Sequence, residues 1–162
     1  MEQELLPIIK HVDIAEQIYK TYEERLQEIR EELDFIDDDV KMETGLSYYS
    51  YNEFGKALDA FLKLMPRHEN NWNINYLIGL CYKGLEEFDT AIDYLSFAIS
   101  LNKEEGDIYN DLGIVYFLEG KILEAIKVFT DGIEETEADY KLYYNRGLGY
   151  IQIGEFSLAL RD

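Results

Sequence analysis

The chain has 162 residues with 34 acidic against 15 basic side chains, a formal net charge of -19 and a pI of about 4.3. A hydrophobic share of 47%, with 14% aromatics, excludes an unfolded acidic tail, because such tails lack the apolar surface that offsets chain entropy. The acid excess argues against nucleic acid and anionic membrane as partners, since phosphate binding relies on Lys and Arg to release counterions.

The start, Met1-Glu2-Gln3-Glu4, has no basic leader-type region. No apolar run approaches the roughly 18 residues of a membrane span. The lone cysteine, Cys81, has no internal partner for a disulfide, which agrees with a reducing compartment. A cytoplasmic protein that folds on its own core is expected.

Residues 1–37 carry apolar side chains at alternating three- and four-residue spacing: Leu5, Ile8, Val12, Ala15, Tyr19, Tyr22, Leu26, Ile29, Leu33 and Ile36. This is a heptad seam sustained for more than four heptads. Pro7 near the start and the acidic run Asp37-Asp38-Asp39 predict one helix from about 7 to 36,. Three roles stay open for the stripe. It packs on the helices that follow as an N-terminal cap, or it pairs two copies as a coiled coil through residues 5–36, or it fills a groove of its own chain. Glu16, Glu23 and Arg30 flank the seam on one side, and Arg25 and Glu32 on the other, which suits the second role.

Beyond residue 37 a different period takes over. Gly45, Gly79, Gly113 and Gly147 stand 34 residues apart, as do Tyr48, Tyr82, Tyr116 and Tyr150, and Ala57, Ala91, Ala125 and Ala159. The units are 38–71, 72–105, 106–139 and a partial 140–162. Each holds two apolar patterns of helical period around a turn, as in Ile108 to Leu118, Gly120-Lys121, and Ile122 to Ile133,. That predicts a helix hairpin in which Gly and Ala permit close approach and Tyr fills the space beside them. One hairpin cannot bury its own apolar face, so the hairpins must stack.

In unit three, Leu112-Gly113-x-x-Tyr116, Gly120, Ala125 and Phe129 follow the motif of a known family, with Tyr109 in its usual Trp place. Unit two offers Ile78-Gly79-x-x-Tyr82, Phe88, Ala91, Leu95 and Ala98. Residues 38–162 thus resemble the tetratricopeptide repeat family. The resemblance implies an all-α fold, a right-handed superhelical solenoid of helix-turn-helix hairpins preceded here by the long N-terminal helix. Three departures stand out: Leu64 where the next units have Ala98 and Gly132, Pro66 three residues early so that the second helix of unit one is expected to stop near Met65, and Arg146 at an aliphatic position,.

The resemblance also implies a ligand on the concave surface, held by positions two, five, nine, twelve and thirteen of the first helices. Carried over, these give a groove of Met42, Leu46, Tyr49, Tyr76, Leu80, Lys83, Asn110, Ile114, Phe117, Tyr144, Leu148 and Ile151, with Asp107, Lys141 and Gln152 alongside. Position nine is aliphatic throughout: Leu46, Leu80, Ile114 and Leu148. Such a groove suits a peptide or helical segment with large apolar anchors, unless neighbouring helices bury part of that column. The Lys and Asn set with which some family members clamp an acidic chaperone tail is absent whether its positions are counted from unit one or from unit two, and Asp107 and Asp111 would repel a carboxylate. A neutral or basic protein or peptide partner is expected instead.

No catalytic, cofactor or metal constellation is predicted. His11 and His68 lie in different segments without ligand-spaced companions,. Cys81, between Leu80 and Tyr82, reads as a small core residue. The expected function is therefore a non-catalytic interaction module of scaffold or co-chaperone type. A structural or oligomerising module, or the regulatory part of a larger repeat protein or enzyme, is the alternative. Unit four stops at Leu160-Arg161-Asp162, one residue before the large apolar position held by Phe61, Leu95 and Phe129. The chain is accordingly expected either to be the N-terminal part of a longer protein or to pair copies through an open C-terminal repeat.

Overall fold

The computed structural model describes residues 2–137 and 140–162, with side chains at residue 17 and from 19 onward within those ranges. Helices follow in the order α1 (Glu2–Ser50), α2 (Phe54–Leu62), α3 (Met65–His68), α4 (Trp72–Gly84), α5 (Phe88–Leu101), α6 (Gly106–Leu118), α7 (Ile122–Glu135), α8 (Tyr140–Gln152) and α9 (Phe156–Ala159). No strand occurs among the described residues. The chain divides into two units, Met1–Val40 and Lys41–Asp162.

The first unit is the greater part of α1. This helix runs through Asp37-Asp38-Asp39 without a break and ends at Ser50, where the sequence predicts a stop near Ile36. The acidic run has no power to end it: aspartate costs only a few tenths of a kcal/mol per helical residue, and no Gly or Pro stands between residues 8 and 44,. The first helix of the first repeat is therefore the last stretch of α1.

The second unit repeats one turn four times. Asn52, Glu86, Gly120 and Gly154, again 34 residues apart, all take left-handed backbone, with φ of 59°, 62°, 80° and 82°. After each, the backbone N–H of Glu53, Glu87, Lys121 or Glu155 donates to the carbonyl of Tyr48, Tyr82, Tyr116 or Tyr150 at 2.8 to 3.0 Å. The carbonyls of those same four residues then accept from the N–H of Ala57, Ala91, Ala125 and Ala159, which starts the next helix. A left-handed residue reverses the chain while leaving few backbone groups unpaired.

Packing follows the small-against-large pairing that the sequence predicts. A Cβ on Gly113 would lie 2.2 Å from Phe129, one on Gly45 2.4 Å from Phe61, and one on Gly79 2.8 Å from Leu95. Ala57, Ala91 and Ala125 are fully buried. Between the hairpins, the second helix of one unit and the first of the next share a core: Phe61 and Leu64 meet Ile74, Leu77, Ile78 and Cys81, and Ala91, Leu95 and Ala98 meet Ile108, Leu112 and Val115. Tyr109, Ala125, Phe129 and Leu142 continue the stack.

The three departures have local explanations. Leu64 is buried in the first core, filling space that Ala98 and Gly132 leave to other side chains. Pro66 lies in the first turn of α3, and α2 ends at Leu62, slightly before the predicted stop at Met65. A proline is tolerated there because the N–H it lacks would have no partner within the helix. Arg146 donates from Nε and Nη2 to the Asp162 carboxylate at 2.7 and 2.6 Å and from Nη1 to Thr130 Oγ1 at 3.3 Å, with its guanidinium over Tyr143 and Tyr150. The turn between units one and two has its own fastening. Asn71 Oδ1 accepts from the N–H groups of Asn73 and Ile74, and buried Asn75 donates from Nδ2 to the carbonyls of Glu69 and Asn71, both at 2.8 Å.

Two substitutions separate these causes. Glu86→Gly is expected to raise stability by about 0.5–1 kcal/mol, because a side chain at positive φ is strained and glycine is not. Gly113→Ala is expected to lower it by about 1–3 kcal/mol through overpacking against Phe129, against the ~1 kcal/mol that alanine gains by helix propensity alone. Urea unfolding of both variants checks this, and a stabilised Gly113→Ala would show that Phe129 moves aside freely.

Candidate functional site

The first helices of the four units are the end of α1 from Lys41, α4, α6 and α8; α2, α5 and α7 are second helices. The predicted groove residues lie on the first helices, but they are not equivalent. Leu46 is 44% exposed at one end, and Tyr144, Leu148 and Ile151 are 64%, 39% and 52% exposed at the other. Met42, Tyr49, Tyr76, Lys83, Asn110, Ile114 and Phe117 are half-buried between them. Tyr49 meets Phe54 edge-to-face at 5.5 Å, a favoured aromatic geometry.

Leu80 corrects the predicted column. It is 7% exposed and belongs to the first core with Ile78 and Cys81. The reason is its place in the stack: α4 has α2 on one side and α5 and α6 on the other, so neighbours close over its ninth position. An anchor has no access to Leu80, and the aliphatic column is interrupted there.

The middle of the surface is polar and pairs with itself. Tyr76 Oη donates to Asp111 Oδ2 at 2.6 Å, and Lys83 Nζ donates to Asp111 Oδ1 at 2.5 Å. Lys141 Nζ donates to Asp107 Oδ1 at 3.0 Å, and Asn145 Nδ2 to Asn110 Oδ1 at 2.7 Å. Each bond ties the first helix of one unit to that of the next, α4 to α6 and α6 to α8. The sequence reading has Asp107 and Asp111 as repelling charges; in the structure each carboxylate faces a lysine, so little bare negative field remains for a ligand. The signal was present in the spacing, since three of the four pairs lie 34 or 35 residues apart.

Burial and these charges shift the phenols upward. Tyr76 rises far above its ordinary value, first by burial, then by the Asp111 charge and the hydrogen bond to it. Tyr49 rises by burial and the same carboxylate. The Cys81 thiol is pushed up to about 12 by burial, which leaves it protonated and a poor nucleophile at neutral pH. No cluster of three or more His, Cys, Asp or Glu suited to a metal ion occurs among the described residues, and no described helix is long and apolar enough to cross a membrane.

At the exposed end, Tyr140, Tyr143, Tyr144, Leu148, Ile151 and Ala159 line a hollow of about 400 Å³. Its walls are mainly apolar and its position continues the groove along α8. This is the least covered apolar ground on the first helices.

Comparison with known proteins agrees with the hairpin geometry. A sequence profile described as tetratricopeptide repeat matches residues 73–105, the second unit. A crystal structure of MamA superposes with a TM-score of 0.71 at 25% identity, covering 76% of this chain and 72% of that one. Residues 73–105 match the tetratricopeptide repeat family, and the hairpin stack has the fold of tetratricopeptide repeat proteins. The Sgt2 tetratricopeptide domain from Aspergillus fumigatus shares the fold, with a TM-score of 0.67 at 16% identity over 73% of this chain and 80% of that one. Among curated proteins, the BBSome complex member BBS4 of Bos taurus is 27% identical over 122 residues, 75% of this chain and 23% of its own length. The Hsp70-Hsp90 organising protein of Plasmodium falciparum is 40% identical over 62 residues, 38% of this chain and 25% of its own length. The tetratricopeptide repeats here thus span about a quarter of the curated relatives they match.

The Tyr76–Asp111–Lys83 bridge makes a testable claim about the stack. Tyr76→Phe is expected to cost about 1–2 kcal/mol, since it removes a donor to a half-buried carboxylate,. The raised phenol stabilises the folded state fully below its unfolded value of 10.0, and that contribution is lost as pH rises above it,. Unfolding followed at pH 8 and pH 11 should therefore show the wild type losing more stability than Tyr76→Phe. Equal losses would mean the bond does not hold in solution.

Proposed function

We propose that the chain is a non-catalytic protein-interaction module that holds a peptide or helical segment with apolar anchors along its first helices. The observation that carries this reading is the apolar ground left open there: Leu46 at one end, and Tyr144, Leu148 and Ile151 around the hollow at the other. A hollow of this size suits one large anchor side chain, and each buried anchor contributes on the order of 1.5–3 kcal/mol. Between the ends, Asn110 and the paired Asp107, Asp111, Lys83 and Lys141 offer polar groups to the main chain or side chains of a bound segment.

The partner in this reading is neutral or basic. The excess of acid attracts it, and its association should slow as salt screens the attraction. Relatives named for organising Hsp70 and Hsp90 support a co-chaperone-like scaffold role. The cytoplasm is its proposed setting, supported by the buried, protonated Cys81. Self-association concerns a different surface, the seam of α1.

The groove reading is tested with peptides selected from a random library on the immobilised chain. Tyr144→Ala, Leu148→Ala and Ile151→Ala combined are expected to weaken the selected peptides about a hundredfold, on the order of one anchor's worth of burial. Leu123→Ala, on exposed α7 surface, should leave the Kd unchanged. Calorimetry reads both, with circular dichroism confirming equal helicity. Full-strength binding by the triple variant would place the ligand elsewhere.

A further inference from the structure

From Tyr19 to Ile36 the seam of α1 is uncovered. Tyr19, Tyr22, Leu26, Ile29, Leu33 and Ile36 are all between 40% and 69% exposed. They lie on one stripe of a straight-through helix, at alternating a and d places of a heptad: Tyr19, Leu26 and Leu33 at a; Tyr22, Ile29 and Ile36 at d,. An apolar stripe of this length on a single helix is marginal in water without a partner. The charges beside it say which partner fits.

The positions flanking the seam are Glu23 and Arg30 at e, and Arg25 and Glu32 at g. In a parallel pair, each g residue faces the e residue five places on in the other helix. Arg25 would then face the partner's Arg30, and Glu32 the partner's Asp37, both like-charged. In an antiparallel pair, g faces g and e faces e. With Leu26 laid against the partner's Ile29, Arg25 faces the partner's Glu32 and Glu23 faces the partner's Arg30, while only Asp37 and the partner's Glu16, at the ends of the seam, are like-charged. Two-fold symmetry makes each of these pairs occur twice.

The apolar layers agree with the same register. Leu26 meets the partner's Ile29, Tyr22 the partner's Leu33, and Tyr19 the partner's Ile36, so the stretch 19–36 is self-complementary about a point between residues 27 and 28. The remaining acids, Glu24, Glu28, Glu31 and Asp34, fall at b, c and f, away from the contact. Arg25 is held at present by Glu28, one turn along on the same helix, at 2.6 Å and in the open. An exposed pair of this kind contributes little, so exchanging it for the partner's Glu32 meets small resistance.

We propose that two copies of this chain associate through α1 as an antiparallel coiled coil, centred between Gln27 and Glu28, with the charge pairs selecting direction and register. The pairing is isologous, as a two-fold dimer requires. It uses a surface separate from the groove on the repeat helices and does not depend on the peptide-binding reading.

Single cysteines in the full chain decide the direction. A mixture of Tyr22→Cys and Leu33→Cys proteins is expected to form a disulfide between copies on mild oxidation, while neither variant alone does so, because like positions lie about 16 Å apart along the axis. The buried Cys81 stays silent. Sedimentation equilibrium of the wild type should give twice 19.0 kDa. Arg25→Glu with Arg30→Glu should weaken the pair about a hundredfold by reversing all four charge contacts. Mixing that variant with Glu23→Arg, Glu32→Arg protein should restore it. A mass of one copy up to roughly 1 mM, a mass of three or four copies, or disulfides formed by each cysteine variant with itself would overturn the proposal.

Discussion

The first three hairpins each depend on one contact, the face of a side-chain-free α-carbon against a large apolar side chain on the following helix. Gly113 and Phe129 show it most tightly, at a separation where even a methyl group has no room. Because the two helices approach so closely, the chain between them has to reverse within a few residues, and that demands a left-handed residue at the turn. Asn52, Glu86, Gly120 and Gly154 supply it. Once the turn is fixed, the apolar faces of both helices point outward from the hairpin, and only a neighbouring hairpin covers them. Close approach thus leads to the turn, and the turn leads to the stack.

Stacking then sets what the first helices offer. Of the two inner first helices, α4 loses its ninth position to the core at Leu80 and α6 leaves Ile114 half-buried, while Leu46 and Leu148 near the ends of the stack stay open. The polar bonds between α4, α6 and α8 act across the same surface. They fix the spacing of adjacent first helices with groups that water would otherwise solvate, so the groove's floor is set by Asp111 and Asn110 and its ends by apolar side chains. On the proposed reading, a ligand lying along these helices would meet a surface already shaped by those bonds, which lowers the cost of ordering on binding.

Much of this was legible in the sequence. The 34-residue spacing of Gly, Tyr and Ala gave the hairpins, their number and their packing partners, because close approach admits so few residue types that the pattern survives in every unit. The turn position was half visible: Gly120 and Gly154 mark it, whereas Asn52 and Glu86 hide it, since a local strain of about 1 kcal/mol is easily carried by the packing around it. The end of the first helix was misread at Ile36, because an acidic run looks like a boundary while its backbone remains content to be helical. In the groove, residue types pointed to the surface but not to the pairing of Asp111 with Tyr76 and Lys83, which depends on how far neighbouring helices are rotated. Burial of Leu80 has the same origin.

The charge of -19 gains meaning from where it is absent. Within residues 19–36 of α1 the acids other than Glu23 and Glu32 take the b, c and f places, while the places beside the seam carry both signs. On the repeat helices, the two carboxylates nearest the groove are matched by Lys83 and Lys141. Both apolar surfaces are therefore locally near neutral within a strongly acidic molecule. General repulsion between copies discourages unspecific contact through the rest of the surface, and the two proposed contacts, Arg25 against Glu32 and apolar anchors in the α8 hollow, are the approaches that would escape it. A uniform distribution of the same charge would protect the chain equally well from aggregation, but it would leave neither surface able to choose a partner.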